Sequence, residues 1–369
     1  MAKSSFRINP VLWCVPLVLS GIGILLIVST TGPSAFSVSG TPYQIGQKQL
    51  LWLVFGIIMA GIIYSVPLKF WRNYSRIILW IAWGLTWLPK IPGIGMSVGG
   101  ARRWFRIPGI AISFQPSELL CLAMAFHLAN MLSRKTDKSD GSLFNSVVKL
   151  VGFCILPVIA QPDLGTTIVL MVISIGMFIE RKGWKYPLRV AGLVIVGIIG
   201  LIYTAPYRVR RFNAWLDPWS DPFNRGYQTI QGLIAFANGG VWGSGLGHGF
   251  QKLNYLPAAY TDFIFAAIGE EMGVIGTLFL LTIFAYWLSQ VAKVYFNCED
   301  SFMASLTWGL ALTVIFPMAL NVGGVTRLLP LTGMPFPFLS YGGTSLIMMW
   351  SKVGLITRLE KESDPGYEY

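Results

Sequence analysis

Long apolar blocks alternate with short polar breaks from one end of the chain to the other. Blocks of about 17 to 25 residues, the length that crosses a hydrocarbon core of roughly 30 Å, recur at 11–29, at 50–66 and around 166–179. The pattern predicts spans over 11–29, 48–66, 77–89, 116–132, 144–161, 163–180, 188–204, 263–290, 304–322 and 340–357. The expected fold is therefore an all-α polytopic membrane protein of about ten transmembrane helices, with 1–369 forming a single transmembrane domain. One long interruption, 205–262, is rich in Gly, Pro, Trp and Asn and too long for a plain connector. It reads as a large structured extracellular loop between the seventh and eighth helices, with a short apolar helix near 230–237. No soluble domain and no inverted repeat of the transporter kind is evident.

Composition agrees with the pattern. Apolar residues make up 54% of the chain and charged residues 12%, about half the charge of an ordinary soluble protein, and the mean hydropathy is +0.61. Lys3 and Arg7 precede the first apolar block as in a secretory signal, but the block is too long and lacks a good cleavage site, so a retained helix is expected. A net charge of +12 would suggest nucleic acid in a soluble protein. Here no nucleic acid is expected, and the charge reflects topology and contact with anionic membrane lipids. The scattered Cys14, Cys121, Cys154 and Cys298 form no disulfide framework or metal spacing and read as small core residues. His127 reads as a packed helix residue.

The basic residues choose a side. Lys69, Arg72 and Arg76, then Arg134, Lys135 and Lys138, then Arg181, Lys182, Lys185 and Arg189 fall on one face with the amino terminus, which puts both termini in the cytoplasm. Eleven of the 28 Lys and Arg remain outside. Arg102, Arg103 and Arg106 crowd one outer loop, and Arg208, Arg210, Arg211, Arg225 and Lys252 lie in the long one. Such a group either snorkels to lipid phosphates or holds an anion at the outer surface, and the second reading is preferred.

Carboxylates at or inside a span are functional suspects, since each costs about 2.5–3.5 kcal/mol at mid-helix. Glu118, Asp163, Asp262, Glu270 and Glu271 qualify, the last two as partners for loop arginines. The glycine run GGVWGSGLGHGFQKLNYLP at 239–257 offers backbone amides to phosphate oxygens, or is simply a flexible loop. Pro330, Pro335 and Pro337 free backbone groups that need protein partners or a wet groove.

These stretches, with GGARRWFR at 99–106, FQPSE at 114–118, QPDLGT at 161–166, TDFIF at 261–265 and RLLPLTGMPFPFLSYGGTS at 327–345, closely resemble the SEDS family of FtsW, RodA and SpoVE. The similarity runs through nearly the whole chain with its motifs in family order. QKLNYLP at 251–257 is closer to FtsW and PLTG at 330–333 to RodA, with a slight lean to FtsW. The resemblance implies a ten-helix fold and a peptidoglycan glycosyltransferase in the bacterial cytoplasmic membrane. Its substrates would be lipid II and undecaprenyl diphosphate-linked glycan, and its partner a class B penicillin-binding protein transpeptidase. It makes Asp262 the essential aspartate of TDFIF, Asp163 that of QPDLGT, and Arg102 and Arg103 the arginines of GARRW. The chain reads PAAYTDF at 257–263 where the family commonly has PEAHTDF, so Ala258 and Tyr260 remove two members of any proton relay there.

Joining two lipid-linked disaccharides needs a base for the attacking hydroxyl and a clamp for the departing diphosphate. Asp262, beside apolar Phe263 and Ile264, is the expected catalytic base, with a simple N-cap of the eighth helix as the alternative. Arg102, Arg103 and Arg211 are the expected clamp, with Asp163, Glu118 and Lys252 completing the substrate site. A divalent cation, Mg or Mn, held at Asp262 is a further candidate for neutralising the diphosphate. A lipid II flippase would need polar residues running to the inner face, which the first, second, seventh and ninth helices lack. A noncatalytic scaffold would leave the outward arginines unexplained.

Overall fold

The computed structural model describes residues 9–364 apart from 40, 99–100, 107–112, 135–138, 204–205 and 254. Gly99, Gly100, Lys135, Lys138 and Asn254, used above in motif or topology, lie outside the described residues.

Ten helices of 18 or more residues form the bundle: α1 (Val11–Ser39), α2 (Gln44–Ser65), α3 (Leu68–Trp87), α4 (Pro116–Ser133), α5 (Asp140–Ala160), α6 (Leu164–Lys182), α7 (Lys185–Tyr203), α10 (Ile264–Asn297), α11 (Ser301–Val325) and α12 (Gly343–Glu362). Between α7 and α10 lie two shorter helices, α8 (Pro206–Leu216) and α9 (Tyr227–Gly239). Over their described residues, six of the ten are apolar enough by composition alone to cross a membrane. The protein is a multi-pass membrane protein. α3 starts well before the predicted 77 because Lys69, Arg72 and Arg76 on its first turns hide those turns from a hydropathy reading.

Helix alternation collects the α3–α4, α5–α6, α7–α10 and α11–α12 connections at one end, opposite the start of α1 and the end of α12. The first of these holds an element the all-α reading did not include, a small antiparallel sheet of β1 (Gly95–Val98), β2 (Ala101–Arg106) and β3 (Ser113–Phe114) in the order β1-β2-β3. Such short strands among Gly, Pro and Arg carry too little period-2 signal to be read from sequence.

Small residues let the helices close up. Gly354 of α12 lies against the Ala60 backbone of α2, and Gly56 of α2 against Trp350 of α12. The core is aromatic, with Phe126, Phe284, Trp287, Phe336 and Trp350 fully buried. Two of its rings come from the α11–α12 loop. Phe336 stacks on Phe265 at 5.8 Å, and Phe338 meets Trp287 edge-on at 5.7 Å. The Pro-rich loop is thus pinned into the bundle by its own aromatic side chains.

Candidate functional site

Asp262 stands between two pinned loops. Asn321, near the end of α11, donates through Nδ2 to the Asp262 carbonyl at 2.9 Å and to the Met334 carbonyl at 2.7 Å. Ser340 Oγ donates to the Thr261 carbonyl at 2.7 Å, and the Tyr341 amide to the Tyr260 carbonyl at 2.9 Å. Residues 260–262 and 334–341 are therefore laced together along their backbones. Both loops bend through left-handed backbone at non-glycine residues, Ala258 at φ 57° and Phe338 at φ 63°, conformations that persist only where the surroundings hold them.

This lacing frees the Asp262 side chain. The N-cap of α10 is Phe263, with no side-chain capping bond, so the capping role allowed by the sequence is not filled by Asp262. The carboxylate faces Gly333, whose φ of 74° brings its backbone close. A Cβ there would lie 3.2 Å from Asp262 Oδ2 and 3.4 Å from Arg211 Nη1. Glycine thus leaves room for the carboxylate and the guanidinium to face the same turn. Arg211, exposed on α8, also donates to the Leu331 carbonyl at 3.4 Å. Burial pushes the Asp262 carboxyl above the ordinary aspartate range, with Arg211 and then Arg103 opposing the shift. Among the described residues no cation makes an ion pair with Asp262 within 4.0 Å.

Asp163 is locked. It caps α6, accepting from the Thr166 amide at 3.2 Å and the Thr166 hydroxyl at 2.9 Å. Arg103 approaches it at 3.7 Å and donates to the Pro162 carbonyl at 2.8 Å. Arg103 thereby lies between the Asp163 cap and the field of Asp262. Strand alternation sends Arg102 to the other face of β2, where it lines an open recess with Lys90, Ser97 and Pro162. The two adjacent arginines of the motif therefore do different things, and Lys90 joins the second. Glu118 lies in the first turn of α4. Around this centre Arg103 Nε, Asn321 Oδ1 and Thr332 Oγ1 are buried polar atoms with no hydrogen-bond partner among the described residues.

Lys252 lies in a different cluster. Its Nζ sits 3.0 Å from Glu271 Oε1 and 3.0 Å from Ser29 Oγ, 8% exposed against 1% for the carboxylate. The lysine expected in the substrate site thus pairs with Glu271 and Ser29 in this structure. The glycine run also differs from the sequence reading. α10 breaks at Gly273, and the run fills the break: Ser244 and Gly245 amides donate to the Glu270 and Glu271 carbonyls, while Gly240 and Val241 carbonyls accept from Val274 and Ile275. The Gly247 amide donates to Glu271 Oε2, and the Phe250 and Gln251 amides donate to Glu270. The run's amides are spent on helix and carboxylate, leaving few to receive phosphate, and Glu270 and Glu271 take amides and Lys252 in place of the expected arginines.

Sequence reasoning passed over Gly333, Asn321, Lys90 and Lys352. Lys352 alone carried a clear signal, a lysine inside an apolar span.

Comparison with known proteins agrees with this architecture. The chain is similar to FtsW of Escherichia coli O6:H1, named a probable peptidoglycan glycosyltransferase, with 35% identity over 94% of this chain and 84% of that protein. Similarity to FtsW of Buchnera aphidicola is 36% over 95% and 93%, and to stage V sporulation protein E of Bacillus subtilis 35% over 95% and 96%. Among solved structures, a chain of a peptidoglycan synthase complex superposes with a TM-score of 0.77 at 22% identity, covering 98% of this chain and all of that one. The rod shape determining protein RodA of Thermus thermophilus superposes at 0.69 and 21%, covering 97% and 98%. Residues 10–364 match the family model described as a cell cycle protein, FtsW/RodA/SpoVE, and the chain belongs to that family.

Proposed function

We propose that the protein is a peptidoglycan glycosyltransferase that polymerises lipid II at the outer face of the bacterial cytoplasmic membrane, with Asp262 as general base. The observation that carries the reading is the Asp262 carboxylate itself. It is raised above the aspartate range by burial, uses no hydrogen bond for capping, and faces the same glycine turn as Arg211. A sugar hydroxyl of one lipid-linked chain gives its proton to Asp262 as its oxygen attacks the anomeric carbon of the other. Arg211 and Arg103 meet the charge that grows on the departing diphosphate, and the open recess at Arg102 and Lys90 gives its oxygens a second basic wall. Asp163 and Glu118 hold the inner edge of this site.

Among the described residues no three His, Cys, Asp or Glu side chains converge as a metal group. A Mg or Mn ion at Asp262 would thus take one carboxylate from the protein and the rest of its ligands from diphosphate and water, the ordinary habit of Mg with phosphates. Such an ion would supply added charge neutralisation for the leaving group.

The partner is a class B penicillin-binding protein transpeptidase, and both termini are cytoplasmic. A reporter fused after Lys138 reads cytoplasmic and one inserted near Asn224 reads external; reversal at either point overturns the orientation. The activity is tested by glycan synthesis from lipid II with the purified protein and partner, the partner's own contribution excluded. Failure of the unmutated complex to make glycan would favour a flippase or a scaffold.

A further inference from the structure

α8 has only eleven residues, too few to hold its shape alone in water, and it packs chiefly on its chain neighbours, α7 and the turn at Pro218–Ser220. The last carbonyls of such a helix find no donor within it. The Asn213 carbonyl accepts from the Asp217 amide at 2.9 Å. The Trp215 and Leu216 carbonyls accept from a side chain far away in the sequence: Arg327 donates through Nε to Trp215 at 3.0 Å and through Nη2 to Leu216 at 2.8 Å. The bond is returned, since Trp215 Nε1 donates to the Arg327 carbonyl at 3.1 Å. A guanidinium at this end of α8 also meets the negative pole of the helix dipole.

Arg327 does this from an unfavourable backbone. It follows Thr326, the C-cap of α11, with a φ of 62°, at the position where a helix commonly places glycine. A long side chain stays in left-handed backbone only where its contacts hold it there. The turn is closed behind it by the Leu329 amide, which donates to the Gly323 carbonyl at 2.9 Å. The arginine is therefore a fixed point at the start of the α11–α12 loop.

Arg211 and Trp215 are four residues apart and share one face of α8. Trp215 meets residue 327, and Arg211 Nη1 meets the carbonyl of Leu331, four residues further along the loop. α8 thus runs antiparallel to 327–331 and is tied to it at both ends of one turn. The tie at Arg211 is a single bond of 3.4 Å from an exposed side chain, whereas the tie at Arg327 has three bonds of 3.1 Å or less. The second therefore sets where Arg211 stands, and Arg211 stands against the Gly333 turn that Asp262 also faces.

We propose that Arg327 is a positioning residue for the polymerase site: its guanidinium caps α8 and so holds Arg211 at the Gly333 turn beside Asp262. The activity readout rests on the function proposed above.

The test uses the purified protein with its transpeptidase partner. Arg327→Gly suits the left-handed backbone and removes the guanidinium, and Arg327→Asn, whose side chain is also tolerated there, is the second variant. Both should keep their melting temperature while polymerisation falls on the order of 10-fold, the weight of charge-assisted bonds misplaced at the leaving group, and by no more than in Arg211→Met. Added to Arg211→Met, Arg327→Gly should cost little further activity. Two readouts are independent of glycan synthesis. Hydrogen exchange of the amides at 213–217 should quicken in Arg327→Gly as the end of α8 frays. Infrared titration of the Asp262 carboxyl, identified by its loss in Asp262→Asn, should move to higher pH in Arg327→Gly as in Arg211→Met, because Arg211 and Arg103 are the cations that act on that carboxyl. Full activity of either variant would overturn the proposal, as would an undiminished cost of Arg327→Gly without Arg211, unchanged exchange, or an unmoved titration. A collapse of the melting temperature in both variants would make the arginine a staple of the fold and overturn it too. Exchange and titration decide the matter even if the unmutated complex makes no glycan, an outcome that would defeat the functional reading alone.

Discussion

Asp262 and the Glu270–Glu271 pair sit close together in the chain, at the same end of the molecule, and each has cations nearby. Glu271 is closed: Lys252 at 3.0 Å, Ser29 Oγ at 2.6 Å and the Gly247 amide at 3.2 Å use its oxygens, and it is 1% exposed. Asp262 is open, half-buried, with Arg211 and Arg103 in its field and no ion pair within 4.0 Å among the described residues. The same residue types build in one place and stand ready for chemistry in the other. Saturation of the carboxylate's lone pairs decides which, because a saturated carboxylate has no basic site left for a substrate proton.

The sharpest break between the two is Asp262→Asn. It should cut glycan synthesis from lipid II by about 10²–10⁴-fold, the usual contribution of a general base, while leaving partner binding and thermal stability intact. The sign for stability follows from the raised pKa. A carboxyl whose folded pKa exceeds its unfolded value costs stability once pH passes the unfolded value, so a neutral Asn holds the melting temperature level or lifts it slightly. Robust synthesis by this variant would end the proposed mechanism.

Glu271→Gln should do the reverse. Leaving Lys252 buried without its partner costs about 3–5 kcal/mol of stability, read as a large drop in the melting temperature in detergent. An unchanged melting curve would show that the closed cluster is not structural. The arginines of β2 come next. Arg103→Ala should lower kcat/KM for lipid II by about ten-fold or more, since it removes charge-assisted bonds of about 1.5–3 kcal/mol. Arg102→Ala, across the strand, should act more weakly and mainly on KM, and equal effects would show that the two still work as one clamp.

The smallest effect is a displacement in pH. Asp262 works ionised, so activity falls as pH falls through its pKa, and the acid limb should lie above the ordinary aspartate range. Arg211 is the largest influence opposing that shift, so Arg211→Met should carry the limb higher still. Movement of the limb to lower pH would contradict the role of burial at this carboxyl.

Much of this was legible in the order of residues. The ten long helices were legible because a membrane helix must satisfy its own backbone and stay apolar over most of its length, and six of those described are apolar enough by composition alone to cross a membrane. Asp262 stood out in the sequence because a carboxylate at a span boundary is rare and its motif is shared. Lys252 was not, because its partners, Ser29 and Glu271, come from α1 and α10, and only the packed bundle brings them together. The β-sheet was hidden by strands as short as two residues. The glycine run misled for a physical reason: a phosphate cradle and a helix-break filler both require free amides and close backbone approach, so glycine spacing cannot tell them apart.

The break at Gly273 bears on how the protein sits in membranes of different thickness. An unbroken α10 of 34 residues would be roughly 51 Å long, well beyond a hydrocarbon core of about 30 Å. Divided at Gly273, the helix becomes a lower rod, 274–297, near 36 Å, and an upper rod, 264–272, near 14 Å, which follows directly on Asp262. A thicker or thinner bilayer would be met by tilt of the lower rod, the usual response of a helix longer than the hydrocarbon core. Its first amides are held by Gly240 and Val241, and the carbonyls of the upper rod by Ser244 and Gly245, so both rods meet one short segment. Tilt taken up at this break would leave the Asp262 carboxylate in place as lipid length changes.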